Sequence, residues 1–196
     1  LNIRKNIRKK FKIKEKTTVI IFVGRMNYDK GIYDLLLVFK NLLNDKKNIK
    51  LFLLGNIEEN KIFELIKKNK KIYYLGFQGN VEYFLQAADI LCIPSYREGF
   101  CTSAIQASAI GLPIVSSDIY GLKDSVLKNK TGLKFKSGNT KQLKSCISKL
   151  IQNKKLSKKL GQNGINYVRK NFDENKVCNE FLNFINRIIF KKQIQR

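Results

Sequence analysis

Two short stretches of this sequence join cations, a carboxylate and glycines at spacings suited to an anionic, hydroxyl-bearing ligand. In Gly24-Arg25-Met26-Asn27-Tyr28-Asp29-Lys30-Gly31, a glycine permits a sharp turn and close backbone approach, and two cations flank the loop. Arg25 can grip two phosphate oxygens as a fork, whereas Lys30 acts as a point charge. In so basic a chain an Arg and a Lys five positions apart also arise from composition alone, and the spacing leaves both readings open. In Ser95-Tyr96-Arg97-Glu98-Gly99-Phe100 an acid precedes a glycine just before a helical stretch. The N–H groups of Gly99 and Phe100 would point outward as anion donors, and Glu98 can accept hydrogen bonds from sugar hydroxyls. Gln106 follows Glu98 by eight positions, about two helical turns, which aims it at the same cleft. The competing reading makes Glu98 a helix-capping carboxylate and Gln106 a solvated amide.

A third stretch is a tight turn at Gly111-Leu112-Pro113 followed by the strand-end loop Ser116-Ser117-Asp118-Ile119-Tyr120-Gly121-Leu122-Lys123-Asp124. Phe77, Tyr96 and Tyr120 either stack a nucleobase or pack against the domain.

These stretches need a scaffold that gathers them, and the hydrophobic pattern supplies one. Short β-branched runs at Thr17–Gly24, Ile49–Gly55, Lys71–Gly76, Asp89–Pro94, Pro113–Ser117 and Gly132–Phe135 read as strands. Amphipathic segments at Ile32–Leu43, Glu58–Asn69, Val81–Ala88 and Thr102–Ile110 read as helices between them, with a helical turn at Leu122–Leu127. Strands so continuously apolar imply a parallel sheet covered on both faces. Right-handed crossovers then make a single α/β domain with a doubly wound, Rossmann-like sheet. Ligands of such sheets bind beyond the carboxyl ends of the strands, where Gly24, Gly55, Gly76 and the loop after Pro94 fall. From Thr140 the pattern is helical: Gln142–Ile151, Ser157–Lys170, then Asn175–Phe190 behind Asp173 as N-cap. Residues 1–16, with Arg4, Lys5, Arg8, Lys9, Lys10, Lys12, Lys14 and Lys16, read as a basic linker. The domain is expected over 17–172, and a final helix and tail over 173–196.

Lys and Arg number 39 against 15 Asp and Glu, a formal charge of +24 that attracts polyanions. The lysines decorate almost every helix rather than one face, and no nucleic-acid motif is present, so no nucleic-acid partner is expected. There is no histidine, and Cys92, Cys101, Cys146 and Cys178 form no CxxC pair. That excludes a zinc site and any histidine-based acid–base catalysis; no metal or other cofactor is expected. Free thiols favour a reducing, cytoplasmic compartment. No apolar run reaches the roughly 18 residues of a bilayer span, while the basic surface suits peripheral contact with anionic lipid at the membrane's inner face.

Together, VGRMNYDKG (23–31), Leu54-Gly55, LGFQGNVEYFLQAADILCIPSYREGF (75–100), AIQASAIGLPIVSSDIYGLKDSV (104–126) and KTGLKF (130–135) resemble glycosyltransferase family 4, the glycogen-synthase-like retaining transferases of GT-B architecture. The likeness runs from about Thr17 to Phe190, and the segment IYGLKD is similar to enzymes of capsule, exopolysaccharide or lipopolysaccharide assembly. The resemblance implies the C-terminal half of a two-domain enzyme, holding a nucleoside diphosphate sugar while an N-terminal domain, missing from this sequence, holds the saccharide acceptor. It implies that Arg25, Lys30 and Glu98 form the catalytic set: two cations on the diphosphate, and the first glutamate of a Glu-x7-Glu motif on the transferred sugar. It places Gly24, Gly55, Gly76 and Phe77 at the nucleotide and the N–H groups of Gly99 and Phe100 at the sugar and phosphate. Gln106 stands where the second glutamate would meet the ribose; its amide oxygen can still accept one such bond but loses the charge-assisted strength, about 1 kcal/mol. The final helix would cross back onto the N-terminal domain. Hexosyl transfer to a saccharide acceptor, which could be lipid-linked, is the implied activity of the complete enzyme. The alternative is a non-catalytic nucleotide-sugar-binding module or a truncated fragment.

Overall fold

The computed structural model describes residues 2–45 and 47–194. Helix α1 (Ile3–Lys10) leads into β1 (Thr18–Val23), α2 (Ile32–Asn44), β2 (Ile49–Leu54), α3 (Asn60–Ile66), β3 (Ile72–Gly76), α4 (Val81–Ala87) and β4 (Ile90–Ile93). Then come α5 (Thr102–Ala109), β5 (Ile114–Ser117), β6 (Gly132–Phe135), α6 (Thr140–Gln152), α7 (Lys154–Asn171) and α8 (Glu174–Ile194). The six strands form one sheet in the order β3-β2-β1-β4-β5-β6, with every pairing parallel. The chain winds outward from β1 to one edge, then returns to β4 and winds to the other, so the switch point lies between β1 and β4.

The apolar runs work because the inner strands are buried on both faces, while the edge strand β3 stays partly exposed. In β1, Ile20 and Phe22 join a core layer with Leu35, Phe39 and Leu42 of α2 and Leu143 and Ile147 of α6. Val19 and Ile21 point the other way, into a layer with Leu85 of α4 and Ala104 and Ala107 of α5. The alternation has period two along the strand, and both phases are apolar because helices cover both sides.

The stretch expected as a basic linker, in its described residues 2–16, folds onto the domain. Ile3–Lys10 is a helix capped by the Asn2 side chain, and Ile7 and Phe11 pack into the second core layer. Arg8 is buried, donating to the carbonyls of Ala87, Lys14, Glu15 and Thr17 and pairing with Asp89 at 3.3 Å. Asp89 also accepts from Arg4 at 2.7 Å and from the Val19 N–H at 2.7 Å. The helical spacing of Ile3, Ile7 and Phe11 is the signal that the surrounding lysines obscured.

Helix α3 is shorter than the expected Glu58–Asn69. A parallel bridge between Met26 and Ile57, with the Glu58 N–H donating to the Met26 carbonyl, keeps residues 56–58 extended alongside the first loop. The turn at 122–127 begins earlier, as a 3-10 helix at Tyr120–Leu122, and the Val126 N–H still closes it onto the Leu122 carbonyl. Asp173 does cap the last helix, accepting from the Lys176 N–H at 3.2 Å. The α8 side chains Val177, Phe181, Leu182, Phe184, Ile188 and Ile189 are exposed. No helix among the described residues is long and apolar enough to cross a membrane.

Candidate functional site

The loops after β1, β2, β3, β4 and β5 meet along the carboxyl ends of the strands. The Gly24 N–H donates to Leu54 O at 2.9 Å and the Gly55 N–H to Gly76 O at 2.8 Å, so the three strand-end glycines form one continuous rim. Close approach is severe at Gly31, with φ of 67°, where a Cβ would fall 2.1 Å from Pro94 O. Only glycine lets the start of α2 lie against the end of β4. The Tyr96 N–H then donates to Asp29 O at 2.8 Å, tying the two loops together.

This contact delivers Lys30 to Glu98. Lys30 Nζ lies 2.7 Å from Glu98 Oε2, with side chains 20% and 12% exposed. The other carboxylate oxygen accepts from the buried Ser95 hydroxyl at 2.8 Å. Behind it, Gly121 presses on the same loop: a Cβ there would sit 1.8 Å from Glu98 O. Helix α5 takes Cys101 as its N-cap with no side-chain cap bond, so Glu98 is not a capping carboxylate. An ionised carboxylate offers about four acceptor positions, and the protein fills two of them here.

The N–H groups of Gly99 and Phe100 donate to no acceptor among the described residues, and both residues are exposed. The Phe100 ring tilts against Phe172, the C-cap of α7, at 5.8 Å between centroids.

Arg25 is not drawn into this pair. Its exposed guanidinium lies 3.1 Å from Glu58, which also accepts from Asn27 Nδ2 at 2.6 Å. The Asn27 and Arg25 contacts hold the Glu58 carboxyl below the usual range. Glu59 accepts from the Tyr28 N–H and from the Tyr33 hydroxyl, whose pKa that bond raises. Sequence reasoning passed over both acids as the start of a helix. Their signal was position, because they follow the carboxyl end of β2.

The aromatic residues divide. Tyr96 packs: its ring stacks on Tyr28 at 5.0 Å and its hydroxyl donates to Asp34 at 2.8 Å, which raises its pKa. Phe77 and Tyr120 are 76% and 90% exposed, free at the ends of β3 and β5. Gln106 is exposed on α5, with no hydrogen bond to its side chain among the described residues, so the structure does not join it to Glu98. All four cysteines are free thiols; burial pushes the Cys92 and Cys101 thiols up, while Cys178 lies exposed on α8.

A doubly wound sheet with a cation–carboxylate pair at its switch point, beside N–H groups with no acceptor among the described residues, has the donors and acceptors that an anionic, hydroxyl-bearing ligand would need. The family model for glycosyl transferases group 1 matches residues 3–167, and the chain belongs to that family. It is 29% identical over 176 residues to the capsular polysaccharide biosynthesis glycosyltransferase CapM of Staphylococcus aureus, covering 87% of this chain and 46% of that protein. It is 30% identical over 177 residues to the N,N'-diacetylbacillosaminyl-diphospho-undecaprenol alpha-1,3-N-acetylgalactosaminyltransferase of Campylobacter jejuni, covering 89% and 46%. The chain thus spans about half the length of these relatives. The fold matches Anabaena HepE in complex with UDP, at TM-score 0.86 and 17% identity over 95% of this chain and 52% of that one. It also matches the C-terminal domain of the group 1 glycosyl transferase LpcC from Francisella tularensis, at TM-score 0.77 and 20% identity over 87% and 93%.

Proposed function

We propose that this chain is the donor-binding half of a retaining glycosyltransferase, acting on a nucleoside diphosphate sugar. The observation that carries the reading is the Lys30–Glu98 pair at the switch point, beside N–H groups with no acceptor among the described residues. Glu98 accepts hydrogen bonds from hydroxyls of the transferred sugar through its unfilled positions. Lys30, Arg25 and the Gly99 and Phe100 N–H groups meet the diphosphate. The rim of Gly24, Gly55 and Gly76, with the exposed Phe77 ring, receives the nucleoside, and Gln106 takes a ribose hydroxyl.

In the transfer, the bond between the sugar's anomeric carbon and the diphosphate oxygen breaks, and that oxygen leaves with the electron pair. The acceptor hydroxyl forms its new bond on the same face of the sugar and passes its proton to the departing diphosphate oxygen. Charge grows on the leaving diphosphate, where preorganised cations and N–H donors act most strongly; removing one such contact costs on the order of 100-fold in rate. The reading needs no metal, since Lys30, Arg25 and the backbone supply the positive charge. A saccharide acceptor, lipid-linked as the name of the Campylobacter relative indicates for that enzyme, would come from an N-terminal domain facing this edge. The exposed apolar side of α8 suits contact with that domain, and the basic surface suits an anionic membrane.

Calorimetry with a panel of UDP- and GDP-sugars tests the binding step on the 196-residue chain. A saturable signal with at least one donor, weakened in Glu98→Gln, is the expected result; a folded chain that binds none of them sinks the reading. In a complete enzyme, Arg25→Ala and Lys30→Ala together leaving activity within threefold of the parent would remove these two from the mechanism.

A further inference from the structure

At the far end of the same edge, beyond β5 and β6, lies a polar cavity that the transfer reaction does not use. Its volume is about 280 Å3, and Asp118, Lys128, Lys134, Phe135, Lys136 and Gln142 line it. Three lysines against one aspartate leave that lining with a net charge of +2. Lys134 rises from β6 with its side chain only 4% exposed, donating to Leu122 O at 3.1 Å and standing 3.6 Å from Asp118 Oδ1. Lys128 reaches the other Asp118 oxygen at 2.9 Å, so one carboxylate serves two ammonium groups.

The walls are fixed. The Asp118 N–H donates to Phe135 O at 2.7 Å, and the Lys136 N–H donates to Gln142 Oε1 at 2.9 Å. That second bond orients the Gln142 amide and leaves its NH2 without an acceptor among the described residues. Lys136 has no acidic partner among them either.

We propose that this cavity binds an oxyanion of the phosphate class, at a site separate from the Lys30–Glu98 pair. A phosphate dianion matches the charge excess, and its oxygens match the free donors on Lys128, Lys136 and Gln142. At roughly 30 Å3 per water, the volume holds a phosphate with several waters. Burial pushes the Lys134 ammonium pKa down, with Asp118 pulling it the other way, so an added anion would further favour its charged form. Two strands, β4 and β5, lie between β1 and β6, three spacings or about 14 Å at ~4.8 Å each, which sets the site apart from a diphosphate gripped at Arg25 and Lys30. The phosphate would be borne either by a soluble sugar phosphate or by a lipid headgroup.

The test is an amide-detected NMR titration of the 196-residue chain with inorganic phosphate at 150 mM salt. Saturable shifts are expected at the Gln142 side-chain amide and the Lys134 and Lys136 backbone, undiminished by saturating UDP. Lys128→Ala should weaken binding at least fivefold and Lys134→Met at least tenfold. Lys128 is 59% exposed, so its replacement keeps the test valid if the Lys134 variant fails to fold. Lys154→Ala, which removes the same charge from the start of α7, should change affinity less than 1.5-fold. Non-saturating shifts, an equal loss in Lys154→Ala, or displacement by UDP would each overturn the proposal. Flotation with phosphatidylcholine vesicles, with and without phosphatidic acid, separates the sources. Binding that needs phosphatidic acid and Lys128 supports the headgroup; phosphate binding without flotation supports the soluble ester.

Discussion

The two ends of the same strands each carry a cation–carboxylate cluster, and the clusters are built in opposite ways. At the amino ends, Arg8 gives its donors to four carbonyls and Asp89, while Asp89 gathers Arg4, Arg8 and the Val19 N–H. At the carboxyl ends, Glu98 holds only Lys30 and Ser95, and the neighbouring N–H groups of Gly99 and Phe100 stay unpaired among the described residues. A saturated cluster fastens chain segments together; an unsaturated one keeps capacity for a ligand. Charge alone does not distinguish them. A cavity of about 520 Å3 beside α1 is rich in arginine and lysine, yet its two arginines are already engaged by Asp89 and backbone carbonyls.

The largest effect should come from the saturated side. Arg8→Ala strands part of Asp89 and the carbonyls that Arg8 serves, and should lower unfolding free energy by about 3–5 kcal/mol in urea titrations. Ligand affinity of the folded fraction should be unchanged. A loss under ~1 kcal/mol together with impaired donor binding would reverse the assignment of the two ends.

Lys30→Ala should invert that pattern. Donor affinity by calorimetry should fall about 10- to 100-fold, as for a charge-assisted bond of roughly 1.5–3 kcal/mol, while stability moves by less than ~1 kcal/mol. Equal losses in both measurements would make this pair another fastener. Gln106→Glu should tighten nucleoside diphosphate binding about fivefold by restoring a charged acceptor for the ribose, corresponding to ~1 kcal/mol. No gain would place Gln106 outside the ligand's reach.

Glu58→Gln should do least, improving donor affinity less than threefold by freeing Arg25 from an exposed pair. Its effect on stability has a defined sign. The Glu58 carboxyl is held below its usual value of 4.5, so its contribution is complete above that pH and disappears as pH falls through the lower folded value. Melting curves of the parent and the variant should therefore converge on the acid side; a difference that grows there would contradict the ion-pair geometry.

The sheet was legible because its inner strands are buried on both faces, which leaves runs such as Val19–Val23 with no polar interruption. Lys30 and Glu98 were legible because each follows a strand end at the switch point. Helix α1 was hidden by its own exposed lysines, which outnumber the residues it buries, and Arg8 in particular looked like solvent-facing charge. Glu58 was misread because a helix-like pattern extends back to it, while a tertiary bridge from Met26 to Ile57 decides the local backbone. The docking of Tyr96 onto Tyr28 and Asp34 lies beyond sequence inference, since it depends on residues 62 and more positions apart meeting across two loops.

Phe172 gives the contact with Phe100 a mechanical meaning. It closes α7 one residue before Asp173 caps α8, so it is the joint from which the last helix departs. Its ring rests on Phe100, whose backbone N–H has no acceptor among the described residues. The direction in which α8 leaves and the aim of that N–H are therefore coupled variables: whatever body comes to rest on α8 has a short lever, one ring-to-ring contact long, onto the loop that carries Glu98.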